Sequence, residues 1–483
     1  MLNGLSLLYS TLIFSFITVS YNGKIVVDST KWKIPGIGTF AFVADPVVIP
    51  VALGIAIVTS MVAFYSYNYM EHRFKELREE GVKAPGWGAY FFTYTLFAAA
   101  MIGSVLTTNT IEFYLFLELS LIPSFLLIAF YGYGDRIRIA IMYLLWTHIG
   151  ALLFLIGALA AGFTTGFDFI SPDTGIPLLG LGDLKTPPNL LLAIVILMTV
   201  GLLVKMAAFG VHIWLPYAHA EAPTPISALL SPNLIGIGGV MLYRIVYTLY
   251  PSTIAQLSPY LYYWAFLTMI FGGLMTFMQK DFKRLLAYSS ISQMGYMLLG
   301  FSTLTVTGIA GMLFHYFVHA IGKAILFMIA GVLIATLHGL RDLTKMGGLA
   351  TKMPYTATLA LLGFMHITGI PPTCGLWSEY LIVRGAVEWS LMNGGTSLLI
   401  TGILLLVGIG LSTAYSFITM KRIFYGEVPG QLKEAREAPN GLIIPILVIA
   451  IVGVLSFIII SIFLDPLLTY LPSFLQATTF SRG

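Results

Sequence analysis

Cysteine and charged residues are both scarce in this chain of 483 residues. Its single cysteine, Cys374, excludes an intrachain disulfide, an iron–sulfur cluster and a cysteine-based zinc site. Only 10% of the residues are charged, whereas a soluble domain carries about 25%. A soluble globular protein is therefore excluded, because so few charges cannot cover its surface.

Nucleotide-binding motifs are absent as well. The sequence has no G-x-x-x-x-G-K-[ST] loop and no G-x-G-x-x-G turn between a strand and a helix. We therefore expect no cofactor, no bound metal and no catalytic chemistry within this chain. The formal net charge is +4, but the basic residues lie in short loops rather than on one face. This distribution excludes a nucleic-acid-binding role.

Long apolar runs are abundant, and each is long enough to cross a hydrocarbon core of about 30 Å. They predict an all-α polytopic membrane protein with thirteen transmembrane helices. The first run lacks a basic n-region and a cleavage site, so we expect a retained helix rather than a signal peptide. The predicted spans lie near 3–20, 44–69, 88–107, 109–131, 139–163, 188–210, 224–249, 258–279, 283–303, 307–336, 355–392, 396–420 and 441–465.

The Lys and Arg residues are distributed unevenly over the connectors. If residue 1 is cytoplasmic, most of the 25 basic residues fall on the cytoplasmic side, as the positive-inside rule requires. The chain is therefore expected in the cell membrane with its N-terminus in the cytoplasm. Thirteen spans then place the C-terminus outside.

Two of the predicted spans are interrupted by helix-breaking residues. The segment after Lys205 contains three prolines within "LPYAHAEAPTP", and the span 355–392 contains "GIPPTCG". In each of two sets of five helices the interrupted helix is the fourth, and paired interruptions of this kind mark ion or substrate paths. We predict two inverted five-helix repeats, with the chain divided into 1–87, 88–250, 258–420 and 421–483.

Ionisable residues within the apolar spans are the candidate ion path. A buried charge costs several kcal/mol unless it is paired or hydrated, from about 2.5 kcal/mol upward. Glu118 and Lys205 are expected to pair, which makes Lys205 a proton-loading site; a static pair that locks two helices is the alternative. His315, His319 and Lys323 are spaced four apart and share one helical face, a spacing that suits stepwise proton transfer.

Other titratable residues flank the two breaks. Glu379 follows the second break and corresponds in position to Lys205; an interfacial carboxylate is the alternative. His212 and His219 lie beside the first break, and each is equally consistent with carrying protons or with bonding freed carbonyls. His366, before the second break, has the same status, whereas His148 is expected to be structural.

Four stretches resemble the antiporter-like subunit family: "KMAAFGVHIWLPYAHAEAPTPISALLS", "FKRLLAYSSISQMGYML", "HAIGKAILF" and "GIPPTCGLWSEY". That family includes the M-, L- and N-type subunits of respiratory complex I, the A and D subunits of Mrp antiporters and subunits of membrane-bound hydrogenases. The resemblance implies a fourteen-helix unit in which Glu118, Lys205, His319 and Glu379 pass protons or exchange them for sodium. It also implies partners: other membrane subunits and peripheral redox subunits.

The sequence departs from the family at Gly236, where many members have a lysine. This departure leaves the link from Lys205 to His319 dependent on water, Ser231 or Asn233. Two alternatives to an ion-translocating subunit therefore stay open, namely a self-sufficient transporter of a small solute and a scaffold that no longer conducts ions.

Overall fold

The computed structural model describes residues 25–475, together with Ser6 and Ser10. The predicted first helix, 3–20, lies outside the described residues apart from those two serines. The segment before the first described span forms two small antiparallel sheets. In one, β1 (Val26–Val27) pairs with β4 (Val43–Ala44), and in the other β2 (Trp32–Ile34) pairs with β3 (Gly38–Phe40).

The rest of the described chain is helical. The helices are α1 (Ile49–Glu79), α2 (Trp87–Leu106), α3 (Thr110–Tyr131), α4 (Arg136–Thr165), α5 (Leu181–Lys185), α6 (Pro188–Lys205), α7 (Trp214–Glu221), α8 (Thr224–Tyr247), α9 (Pro251–Phe277), α10 (Phe282–Ser302), α11 (Val306–Thr336), α12 (Pro354–Ile367), α13 (Gly375–Met392), α14 (Gly395–Phe424), α15 (Asn440–Ile458), α16 (Ser461–Tyr470) and α17 (Pro472–Leu475). Within the described residues, ten of these are long and apolar enough to cross a membrane. The chain is thus an all-helical polytopic membrane protein.

Three of the predicted spans differ from the observed helices in apolar character or in continuity. Span 283–303 is a helix, α10, yet it is not among the ten apolar ones, because serine, glutamine and basic side chains replace apolar residues along it. Nearly all of α10 is buried, so protein rather than lipid surrounds it. Span 355–392 divides into α12 and α13, and span 441–465 divides into α15 and the start of α16.

The most buried helices are α8 and α11, whose apolar windows are wholly enclosed by the protein, whereas α14 is mostly exposed. Helix α8 contains two π-helical stretches, Leu230–Leu234 and Leu242–Tyr247. A π-bulge leaves backbone carbonyls without their usual partners and occurs frequently at functional sites. The core of the molecule therefore lies around α8, α10 and α11, the helices that also carry many of its buried polar side chains.

Candidate ion pathway

The first interrupted helix ends at Lys205 and resumes at Trp214. Between them Ala207 and Gly210 adopt positive φ values of 55° and 90°, which take the chain out of the helical path. Non-helical backbone at membrane depth must be bonded by protein or by water. Here the indole of Trp214 donates a hydrogen bond to the Val204 carbonyl, with an N–O distance of 3.0 Å.

The rest of the break is held by α9. The Phe209 amide donates to the Thr268 hydroxyl at 3.2 Å, and the Trp264 indole donates to the Phe209 carbonyl at 2.9 Å. His212 accepts a hydrogen bond from the Gly210 amide at 3.2 Å through Nδ1. Tryptophan indoles therefore bond the carbonyls of Val204 and Phe209, and the His212 imidazole interacts with the Ala208 backbone.

Lys205 is buried, with 4% of its surface exposed. The predicted contact between Glu118 and Lys205 is not formed: the side-chain partner of Glu118 within the described chain is His148, whose Nδ1 lies 3.1 Å from Oε2. Glu118 still acts on the charge of Lys205 through space. Its second carboxylate oxygen, Oε1, is buried without a hydrogen bond. His148 was expected to be structural, and this contact with a candidate ion-path residue was not predicted. The partner of Glu118 comes from α4, which carries His148, and not from α6, which carries Lys205.

His219 lies on α7 and is fully buried, and neither of its ring nitrogens forms a hydrogen bond within the described structure. Its ring stacks on Phe327 of α11 at 4.9 Å between centroids. Lys283 and Lys323 both act electrostatically on this imidazole. Lys283 is itself fully buried and donates to the Ala222 carbonyl at 2.5 Å, where α7 ends.

The three α11 residues predicted to form a relay do share one buried face. The rings of His315 and His319 lie 6.4 Å apart between centroids. Lys323 donates to the Ser289 hydroxyl and to the Leu286 carbonyl of α10. Both nitrogens of His319 and Nε2 of His315 are buried without a hydrogen bond of ordinary geometry among the described residues, although the Pro232 backbone lies close enough to act on His319. A buried polar atom usually has a protein or water partner.

Gly236 faces the aromatic ring of Tyr316. A Cβ atom at this position would lie 2.6 Å from the ring, so a lysine side chain would not fit here without moving Tyr316. The Tyr316 hydroxyl donates to the Asn233 carbonyl at 2.7 Å, and the Asn233 side-chain amide is buried without a hydrogen bond. Ser231 instead contacts Ser290 of α10 at 2.6 Å between hydroxyl oxygens. Asn233 is thus the unsatisfied polar group near the missing lysine.

The second interrupted helix ends at Ile367 and resumes at Gly375. The Gln293 side-chain amide of α10 donates to the Ile367 carbonyl at 3.0 Å. The Thr373 hydroxyl lies 2.7 Å from the Ile370 carbonyl and 3.1 Å from the Met365 carbonyl. The freed carbonyls of this break are therefore bonded by the Gln293 amide and the Thr373 hydroxyl, and not by tryptophan indoles as in the first break.

Glu379 lies one turn into α13 and is 8% exposed, and its Oε1 is buried without a hydrogen bond in the described structure. Gly369 has a φ of 63°, and a Cβ there would lie 2.5 Å from Oε2 of Glu379. The neighbouring Ser378 contacts Nδ1 of His315 at 3.0 Å. Glu379 thus lies against the second break, as its position in the sequence predicts, and the adjacent Ser378 joins the start of α13 to His315 of α11.

His366 contributes to this region differently. Its Nδ1 contacts the Leu362 carbonyl one turn earlier at 2.7 Å, while Nε2 is buried without a hydrogen bond where α12 packs against Gly453 of α15. One of its two nitrogens therefore has a structural role.

The buried charged residues that the sequence-based interpretation missed include Arg73, which forms ion pairs with Glu76 and Glu80, and three others. Lys283 is the first residue of the predicted span 283–303, where a basic side chain is expected to be exposed, but Asp281 caps α10 and so sets Lys283 inside the buried first turn. The other two are Arg244 and Asp45, which form an ion pair of 2.6 Å with 3% and 1% of their side chains exposed. A capping aspartate two residues before Lys283 was the available signal for its burial. For the pair no local pattern exists, because 199 residues separate its members.

The fold and these buried groups define a class: a multi-pass helical membrane protein in which two interrupted helices flank a buried set of titratable side chains. The chain belongs to the NADH:quinone oxidoreductase/Mrp antiporter transmembrane family, whose model matches residues 107–405. The resemblance to antiporter-like subunits is thereby confirmed.

Known relatives agree with this assignment. The chain is 29% identical to subunit M of the F(420)H(2) dehydrogenase of Methanosarcina mazei over 436 residues, covering 88% of this chain and 81% of the relative. It is 31% identical to subunit M of the NADH-quinone oxidoreductase of Rickettsia prowazekii over 349 residues, covering 72% and 68%. A chain of respiratory complex I from Thermus thermophilus has the same fold, with a TM-score of 0.82 at 24% identity, covering 98% of this chain and 94% of that one.

Proposed function

We propose that this chain is a proton- or sodium-translocating antiporter-like subunit of a multi-subunit membrane complex. Its partners would be other membrane subunits, and either a peripheral redox module or the remaining subunits of an Mrp-type antiporter. The relatives named above are subunits of an F(420)H(2) dehydrogenase and an NADH-quinone oxidoreductase, which supports the redox-linked form.

The observation that carries this proposal is the fully buried His219 imidazole, whose nitrogens have no hydrogen-bond partner in the described structure. The equally buried His319 forms no hydrogen bond of ordinary geometry among the described residues and has only the Pro232 backbone acting on its ring as a hydrogen-bonding group. A core histidine with a purely structural role normally satisfies its nitrogens, since an unsatisfied buried polar atom costs about 1–3 kcal/mol. Internal water would satisfy them and would also connect them to their titratable neighbours. Lys205 and Glu379 then store charge at the two breaks.

The same proposal includes two inverted repeats, 88–250 and 258–420, preceded by 1–87 and followed by 421–483. The order of the helices supports it, because the interrupted helix is the fourth span after residue 87 and again the fourth from α9 onward. Five spans per repeat reverse the direction of entry into the membrane. Such repeats place the two breaks near the bilayer midplane.

We also propose that the chain lies in the cell membrane with a cytoplasmic N-terminus and an external C-terminus. The support is the bias of Lys and Arg toward the connectors on the side of residue 1. Reporter fusions at the C-terminus and in the connector before α15 test this orientation, because they must report opposite sides of the membrane.

Replacing Lys205 tests the ion-translocation proposal directly. In the intact complex Lys205→Met should lower ion translocation about tenfold or more, because the storage charge is lost. Exposed Lys185→Met is the matched control and should leave translocation unchanged. Normal assembly with unchanged translocation in Lys205→Met would overturn the proposal and favour a non-conducting scaffold, the function that the packing of Tyr316 against Gly236 supports.

A self-sufficient solute transporter is separated by a second measurement. The proposed subunit should copurify with other chains and conduct no solute alone, whereas a self-sufficient transporter should be active as a single purified chain. The identity of the copurifying chains also decides the parent complex: iron–sulfur and nickel–iron subunits indicate a hydrogenase, flavin subunits a dehydrogenase, and the absence of both an antiporter.

A further inference from the structure

An open groove lies at one membrane face, away from the ion pathway. It has a volume of about 720 Å³ and is formed by the C-terminal ends of α9 and α14 and by the short turn Leu343–Lys345. Because α9 ends at Phe277 and α14 at Phe424, the groove lies where two membrane spans leave the apolar region. It is therefore open at the depth of lipid headgroups.

The charges lining this groove are mostly positive. Lys280, Lys421 and Arg422 line it together with one carboxylate, Glu427. The three cations are exposed, and none of them forms an ion pair within 4.0 Å in the part of the chain that the structure describes, although Asp342 acts electrostatically on Lys280. An excess of unpaired cations in a concave site favours an anionic ligand with several acceptor oxygens, such as a phosphate group.

The apolar side chains beside the groove indicate that the ligand also has an apolar part. Met278 and Ile418 line it and are 72% and 39% exposed, and Leu274, one turn deeper along α9, is 52% exposed. These residues continue from the cations toward the membrane interior along the outer faces of α9 and α14. A free phosphate ion gains nothing from contact with an apolar surface, whereas an acyl chain packs against it.

We propose that this groove is a binding site for an anionic phospholipid, with the phosphate on Lys280, Lys421 and Arg422 and the acyl chains along α9 and α14. Basic pockets between membrane helices recognise anionic headgroups in this way. The phenol of Tyr425, which is 54% exposed, provides a further donor at the rim. The groove shares no residue with the ion pathway, so the lipid-binding proposal can be tested separately from the proposed function.

Lipid retention in the intact complex tests this proposal. The complex is purified in detergent, exposed to phosphatidylglycerol or phosphatidylcholine, and its bound lipid is quantified by native mass spectrometry. Phosphatidylglycerol should be retained in preference to phosphatidylcholine. The triple variant Lys280→Gln, Lys421→Gln, Arg422→Gln should lose that preference, by about fivefold in affinity for each cation removed.

A second triple variant controls for the change of net charge. Lys352→Gln, Lys433→Gln and Arg436→Gln removes three exposed cations outside the groove and should keep the preference for phosphatidylglycerol. Equal lipid retention in the two triple variants would overturn the proposal, as would equal retention of the two lipids by the unmodified complex.

A photo-crosslinking residue at Met278 identifies the occupant. Crosslinks to phospholipid support the proposal, while crosslinks to another subunit of the complex overturn it. Competition by inorganic phosphate alone, without a requirement for acyl chains, would overturn the lipid assignment in favour of a free anion.

Discussion

The two interrupted helices carry charged residues of opposite sign, Lys205 and Glu379, and the surroundings of these two side chains differ. Lys205 lies near Glu118, and Glu118 contacts His148, whose side chain is 41% exposed on the outer face of α4. Glu379 has no ion pair within the described residues and is enclosed near the buried α11 histidines. The first half of the molecule therefore reaches its surface through titratable groups, while the second half keeps its charge inside.

This difference predicts that only the first break is open to direct contact with a neighbouring subunit, through His148 on the outer face of α4. Glu379 is enclosed by this chain, so a partner can act on it only through other residues.

The largest effect is expected from Glu379→Gln in the second half. It removes the only ionisable oxygen pair at that break while keeping the shape of the side chain, so ion translocation by the complex should fall about tenfold or more. Glu388→Gln is the control on the same helix, because Glu388 contacts Arg384 and Thr307 instead of the break. An equal loss in both variants would show that α13 is sensitive to any lost carboxylate.

A smaller effect is expected from His148→Gln in the first half. The variant removes the imidazole that Glu118 contacts but leaves Glu118 and Lys205 in place, so translocation should fall several-fold. Ion translocation by the intact complex measures the effect. Unchanged translocation in a complex that assembles normally would contradict a role for the contact between His148 and Glu118.

Much of this arrangement follows from the sequence alone. Both breaks, the clustering of His315, His319 and Lys323 on one face, and the proximity of Glu379 to the second break are set by spacing and by helix-breaking residues. The partner of Glu118 is not, because His148 and Lys205 lie on different helices and only the packing of α3 selects between them. The burial of Lys283 was missed because it is the first residue of the predicted span 283–303, a position at which a basic side chain is expected to be exposed.

The two glycines with positive φ in the breaks offer a matched comparison. Gly369→Ala would strain the backbone and also displace Glu379, since its Cβ would meet Oε2 at 2.5 Å, so we expect a several-fold loss of translocation. Gly210→Ala meets no atom within 4 Å and should cost only the backbone strain of about 1–2 kcal/mol. Translocation and melting temperature are measured for both, and equal transport in the two variants would contradict the assigned position of Glu379.

The smallest effect on transport is expected from the side chains that close the breaks. Trp214→Phe removes one of the two donors to the Val204 carbonyl, which keeps the Ala207 amide, whereas Gln293→Leu removes the side-chain donor to the Ile367 carbonyl. Trp214→Phe should lower stability by about 0.5–1.5 kcal/mol and Gln293→Leu by about 1–3 kcal/mol, seen as a lower melting temperature of the complex. Water can enter either break and restore part of the bonding, so transport should be largely kept. A complete loss of transport without a change in melting temperature would mean that these side chains carry protons themselves.

The central claim is that internal water reaches the buried imidazoles. Magic-angle-spinning NMR of the intact complex with ¹⁵N-labelled histidine tests it most directly, with His319 assigned by its absence in His319→Gln. We predict magnetisation transfer from water to the His319 ring nitrogens. A His319 signal without any transfer from water, beside a clear transfer to the exposed connector residue His338, would contradict the account.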